Sequence, residues 1–138
     1  MWGNIRRGGA IGLLIISLAL TGCTERVSER CSGRGGEHSC TVTYKSSDGK
    51  WYTTLDSNRT HSQAVVSGTF TIESGSGTLL LEGADYWHEY ELSPEEPVVI
   101  EDLPLELKGD GKGTWIYLEI VADPQIEGLT AEYEWTTS

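Results

Sequence analysis

From Cys40 onward the hydrophobic positions of this chain recur with a period of two. Cys40, Val42 and Tyr44 alternate with Thr41, Thr43 and Lys45, and Val66, Gly68, Phe70 and Ile72 alternate with Ser67, Thr69, Thr71 and Glu73. Ile116, Leu118 and Ile120 repeat the pattern, as do Leu129, Ala131 and Tyr133. Successive side chains of a strand point to opposite faces, so this alternation predicts strands with one buried and one wet face. The breaks between them carry turn chemistry: Asp48-Gly49, Ser74-Gly75-Ser76-Gly77, Gly83-Ala84-Asp85, Ser93 to Pro97, Gly109 to Gly113 and Asp123-Pro124. Roughly eight short strands with a turn about every 8–12 residues, and no stretch with helical period, predict an all-β fold. The expected architecture is an antiparallel β-sandwich or jelly roll, with a small closed β-barrel as the alternative.

The N-terminus follows another pattern. Arg6 and Arg7 precede Ala10 to Leu20, an apolar run interrupted only by Ser17. That run is shorter than the roughly 20 residues of a spanning helix. A basic head, a short apolar run and small residues at its end form an export signal. Leu20-Thr21-Gly22-Cys23, at the end of the run, resembles the lipobox of bacterial lipoproteins, and the resemblance covers the first 23 residues. It implies a signal peptide cleaved between Gly22 and Cys23, and acyl chains such as palmitate on Cys23. Several chains together hold a protein on a membrane almost permanently. The implied location is a cell membrane, facing outside the cytoplasm, and the periplasmic side of the outer membrane if the cell is Gram-negative. Residues 24–39 are polar, contain Ser32-Gly33-Arg34-Gly35-Gly36 and lack an apolar period, which predicts a flexible tether. The chain thus divides into a signal peptide (1–22), a lipidated cysteine with its tether (23–39) and a β-sandwich domain (40–138).

Charge narrows the partners. Of ten basic residues, two lie in the signal, which leaves eight against 21 acidic ones and a net charge of −13 after cleavage. A balance of that sign excludes nucleic acid as the natural partner, because phosphate backbones need cationic patches. Sixteen of the 21 acidic residues fall within residues 73–138, a half that suits cations, basic proteins or cationic polymers. With Cys23 assigned to lipid, Cys31 and Cys40 remain as an even pair in an oxidising compartment and predict a disulfide.

Catalytic motifs are not apparent. Ser62 beside His61 lacks the elbow or partner placement of a triad, and acidic pairs such as Glu95-Glu96 arise freely in so acidic a half. No enzyme is expected. Asp85, His88 and Glu89 are close in sequence, yet strand alternation sends His88 and Glu89 to opposite faces. No metal site or resident cofactor is expected. The Asp110-Gly111 and Asp123 turns, helped by Asp102, offer oxygen ligands of the kind calcium takes, and none of them follows the EF-hand spacing. Ser74-Gly75-Ser76-Gly77 matches the loop of small lipoproteins that inhibit lysozyme. Thr78-Leu79 follows it in place of that family's lysine and tyrosine, so no family is assigned to the mature domain.

Aromatics are the informative class. Trp115 and Tyr117 share a strand face with Glu119, and Trp87 shares one with Glu89 and Glu91. Rings beside carboxylates on a solvent face suit a sugar ring or a basic, apolar peptide. Trp87, Trp115, Tyr117 and Glu119 are therefore the predicted ligand-binding residues. The sequence predicts a non-catalytic binding module for an envelope partner. The alternatives are carbohydrate or peptidoglycan binding through exposed aromatics, or a structural accessory subunit of an envelope complex.

Overall fold

The computed structural model describes residues 23–57, 61–85, 87–109 and 113–138. They form ten strands: β1 (Thr24–Glu25), β2 (Ser28–Arg34), β3 (Glu37–Ser47), β4 (Lys50–Ser57), β5 (Gln63–Thr71), β6 (Ser74–Glu82), β7 (Trp87–Leu92), β8 (Val98–Glu106), β9 (Lys108–Gly109) and β10 (Thr114–Thr137). Every ladder is antiparallel. The lipobox residues Leu20, Thr21 and Gly22, and Asp110 and Gly111 of the calcium expectation, lie outside the described residues.

The long strand β10 organises the fold. Its first half (114–122) is flanked by β4 and β6, and β7 continues beyond β6. Its second half (126–137) is flanked by β3 and β5, with β2 beyond β3 and β8 beyond β5. Between the halves the register with β6 shifts from Ala122 to Ile126, around the cis Asp123-Pro124 peptide. The β3–β4 and β5–β6 connections cross the same line: Ala122 donates to the Gly49 carbonyl over 2.8 Å, and Glu73 donates to the Glu127 carbonyl over 2.9 Å. One sheet is thereby creased into two facing layers, an antiparallel sandwich. Among the described residues no ladder joins the outer strands β7 and β8 to each other or β4 to β2, so the sheet stays open and the barrel alternative does not form.

The period-two reading holds residue by residue. Ile116, Leu118 and Ile120 turn inward from one layer with Leu55, Leu79 and Leu81, and Leu129, Ala131 and Tyr133 turn inward from the other with Val42, Val66 and Phe70. All belong to one core cluster. Each large aliphatic buried in this way stabilises the fold by about 1.5–3 kcal/mol. Gly68 stands opposite Tyr133, where a Cβ would come within 2.8 Å of the Tyr133 Cβ and 3.1 Å of the Phe70 ring. Its missing side chain makes room for the stacked Phe70 and Tyr133 rings, whose centroids lie 6.0 Å apart.

Three expectations need correction. Residues 24–39 are not a tether: they form β1, β2 and the start of β3, with β2 paired to β3 from Ser28↔Thr43 to Arg34↔Glu37. Every residue of β2 is exposed, so no apolar period could announce it. Backbone hydrogen bonds to β3 hold it, and Glu29, Arg30 and Arg34 mark it as a charged edge strand. The expected disulfide is present: Cys31 and Cys40 are direct cross-strand partners and are bonded. The second correction is that 114–122 and 129–136, read as separate strands, belong to one continuous β10. Ser74 to Gly77, read as a turn, is likewise the start of β6, paired across the crease with Glu127, Ile126 and Ala122. At Gly75, φ is 94° and a Cβ would collide with the Gln125 carbonyl, so glycine is required there.

Candidate functional site

The outer face of the first layer carries the exposed rings. Directly opposed residues of antiparallel neighbours point to the same side, so the ladders define rows across this face. One row runs Thr54, Tyr117, Glu82, Trp87, and the next runs Tyr52, Glu119, Leu80, Glu89. A third runs Lys50, Val121, Thr78, Glu91 toward the crease. Beyond the first row, Trp115 lies between Asp56 and Lys108. All four predicted ligand-binding residues, Trp87, Trp115, Tyr117 and Glu119, therefore occupy one face.

Hydrogen bonds fix the rings. The Tyr117 hydroxyl donates to Glu119 Oε1 over 2.6 Å, and the Trp87 indole N–H donates to Glu89 Oε1 over 3.1 Å. Burial, followed by the hydrogen bond and charge of Glu119, pushes the Tyr117 phenol up to about 12, so it stays a neutral donor at physiological pH. Tyr52 tilts against Tyr117 with centroids 5.9 Å apart. Tyr52 and Trp87 are 60% and 59% exposed, whereas Trp115 and Tyr117 are half-buried. Tyr117 and Trp87 are two strands apart, about 10 Å at ordinary strand spacing. Lys50 lies 3.8 Å from Glu119, and Lys108 pairs with Glu82 over 3.1 Å.

Sequence reasoning did not single out Tyr52, Glu82 or Lys50 for this face. Alternation along β4 could have found Tyr52, since Trp51 and Leu55 take the inner positions. Glu82 and Lys50 depend on register, which no local pattern reveals. Among the described residues the other rings of Trp, Tyr and Phe serve the core: Trp51 and Tyr90 pack against it, and Tyr44, Phe70, Tyr133 and Trp135 are buried within it. His88 points inward and Glu89 outward, as alternation requires.

Among the described residues Glu29, Cys31 and Cys40 converge as metal-ligand types, but the disulfide consumes both thiols. Asp102 sits on β8, where its N–H donates to Ser67 Oγ over 2.9 Å, and Asp123 sits at the crease, so these two calcium candidates stand on separate elements. His61 Nδ1 is engaged by Thr137 Oγ1 at 2.8 Å and Ser57 Oγ at 3.2 Å. A cavity of about 270 Å³ is lined by Asp85 and Glu106 among others. Their mutual hydrogen bond and like charge raise the Glu106 carboxyl. A cleft of about 480 Å³ opens between the β2–β3 hairpin and β4, where His38 stacks on Trp135 at 5.0 Å. Thr54 and Asp56 of the aromatic face border this cleft, but Tyr52, Trp87, Trp115 and Tyr117 line neither it nor the cavity and form a platform.

No family model matches this chain, and no curated protein matches it. Among solved structures it is similar to the family 11 carbohydrate-binding module of cellulosomal cellulase Lic26A-Cel5E from Clostridium thermocellum, at 10% identity and a TM-score of 0.39 over 85% of this chain and 86% of that one. The Clostridium thermocellum family 11 module in complex with a β-1,3-1,4-mixed-linked tetrasaccharide gives 9% identity and a TM-score of 0.40, covering 85% and 88%. CapF bound to 3-isopropenyl-tropolone gives 14% identity and a TM-score of 0.37 over 79% of this chain, which spans 30% of the CapF chain. These likenesses are distant, and the sandwich is assigned from the ladders and the shared core.

Proposed function

We propose that this chain is a lipid-anchored, extracytoplasmic binding module that performs no chemistry and takes a carbohydrate of the cell envelope on its aromatic face. One observation carries the reading: Tyr52, Trp87 and Tyr117 stand on the same outer sheet face, two of them largely exposed and two fixed by carboxylates. Exposed aromatic side chains grouped on one sheet face mark an interaction surface. Flat rings suit the apolar faces of sugars, and neighbouring carboxylates accept hydrogen bonds from hydroxyls.

The anchor rests on the lipobox resemblance, with Cys23 as the acylated residue. Cys23→Ser is expected to move the protein from the membrane to the soluble fraction of cells, and membrane retention of that variant refutes the anchor. The same soluble variant serves for binding. Trp87→Ala and Tyr117→Ala are expected to abolish its retention on envelope glycan while leaving its melting temperature within a few degrees. Undiminished retention in both variants removes the aromatic face from the function.

A protein partner, with the chain as an accessory subunit of an envelope complex, is the second reading. Val99 and Val65, 57% and 40% exposed on β8 and β5, favour it. Binding of that kind should survive Trp87→Ala and fail in Val99→Glu.

A further inference from the structure

Resting on the carbohydrate reading, we infer that the ligand of the aromatic face is a cationic glycan, a polymer of amino sugars with free amines, because carboxylates outnumber cationic side chains among the described residues around the rings. Among the described residues, five acidic side chains, Asp56, Glu82, Glu89, Glu91 and Glu119, occupy the rows of this face, against the two lysines Lys50 and Lys108. Both lysines are already committed, Lys50 to Glu119 at 3.8 Å and Lys108 to Glu82 at 3.1 Å. Among the described residues Glu89 and Glu91 have no cationic partner, and both are exposed on β7. Glu89 accepts the indole N–H of Trp87, so a negative charge is held beside this exposed ring. A sugar stacked on Trp87 therefore meets carboxylate wherever its substituents reach sideways along β7.

That arrangement selects among glycans by charge. A neutral sugar gains hydrogen bonds from carboxylates but leaves their charge unanswered. An acidic sugar is repelled, since like charges disfavour approach. An ammonium substituent meets a charge-assisted acceptor and the electron-rich face of an indole in one place. The rest of the molecule adds to the bias, with sixteen of its 21 acidic residues in residues 73–138.

A basic peptide satisfies the same charges, but the geometry fits it less. An extended peptide gains affinity by adding to a sheet edge, where backbone groups are free. Tyr52 and Trp87 sit on the outer strands β4 and β7, but a peptide added to either edge would run along the strands and meet only one of these rings. The rows that join the rings run across the layer, over β10 and β6, whose backbone is already laddered on both sides. Recognition there relies on side chains alone, which suits stacked sugar rings.

The full chain carrying Cys23→Ser is titrated with glucosamine oligomers, with N-acetylglucosamine oligomers of the same length and with oligolysine. The amine oligomer is expected to bind roughly 5–10-fold more tightly than its acetylated counterpart, the scale of one or two exposed ion pairs. Added salt should narrow that margin. In the Glu91→Gln variant, which leaves the Trp87–Glu89 hydrogen bond in place, the margin should shrink while binding of the acetylated oligomer persists. Equal or tighter binding of the acetylated oligomer to the parent overturns the amine preference and leaves the carbohydrate reading standing. Binding of neither sugar overturns both, and binding of oligolysine alone assigns the face to a basic peptide and overturns both as well.

Discussion

The backbone N–H of Cys23 donates to Oδ1 of Asp48 over 2.6 Å, and the N–H of Asp48 returns a hydrogen bond to the Cys23 carbonyl over 3.1 Å. Thr24 and Glu25 then pair with Ser47 and Ser46. No slack separates Cys23 from the folded domain. With Cys23 acylated as proposed, the creased end of the sandwich faces the headgroups. Tyr117, five residues along β10 from Ala122, stands about 17 Å further out at ordinary strand rise.

This clamp gives a local prediction. Asp48→Ala should raise amide hydrogen exchange at Thr24 and Glu25, with a global cost of about 1 kcal/mol or less for one exposed hydrogen bond. Unchanged exchange at both residues would show that the β1 ladder alone holds the segment.

Alkaline pH should destabilise the fold. Burial raises the Tyr44 phenol to about 12, burial and Glu119 raise Tyr117 to about 12, and burial raises Tyr133 as well. A tyrosine whose pKa is raised on folding keeps its proton longer in the native state, so its stabilising contribution is complete below the ordinary value of 10.0. That contribution is lost as pH climbs from about 10 toward 12. Phenolate absorbance should show a late-titrating group of tyrosines in the folded protein that joins the rest in denaturant. A single early titration step would refute the burial argument.

Breaking the Cys31–Cys40 bond should cost roughly 2–3 kcal/mol by the chain-entropy account of a short loop. The effect should concentrate on β2, whose side chains contribute no core. The Cys31→Ser/Cys40→Ser variant is expected to melt lower and to expose β2 amides first, while the period-two core remains.

Core and platform should separate cleanly. Leu118 is fully buried, and Leu118→Ala is expected to cost about 2–5 kcal/mol. Trp87→Ala, on the exposed face, should change stability by less than about 1 kcal/mol. Denaturant midpoints for the two variants decide the matter, and comparable losses would mean that Trp87 is structural.

Local chemistry along the chain determined the strands, the inward positions such as Leu118 and Ala131, the Cys31–Cys40 pair and the shared outward side of Trp115, Tyr117 and Glu119. These follow from Cβ alternation and turn residues, which act over a few residues and are written in the sequence. Tertiary structure decided what depends on distant partners. β2 is a strand because β3 offers it a backbone edge, an interaction without side-chain signature. The crease at Asp123-Pro124 exists because β4 and β6 flank one half of β10 while β3 and β5 flank the other. Only cross-strand register brought Tyr52 against Tyr117 and set Glu82 between Tyr117 and Trp87, since a one-residue slip would have turned those rings into the core.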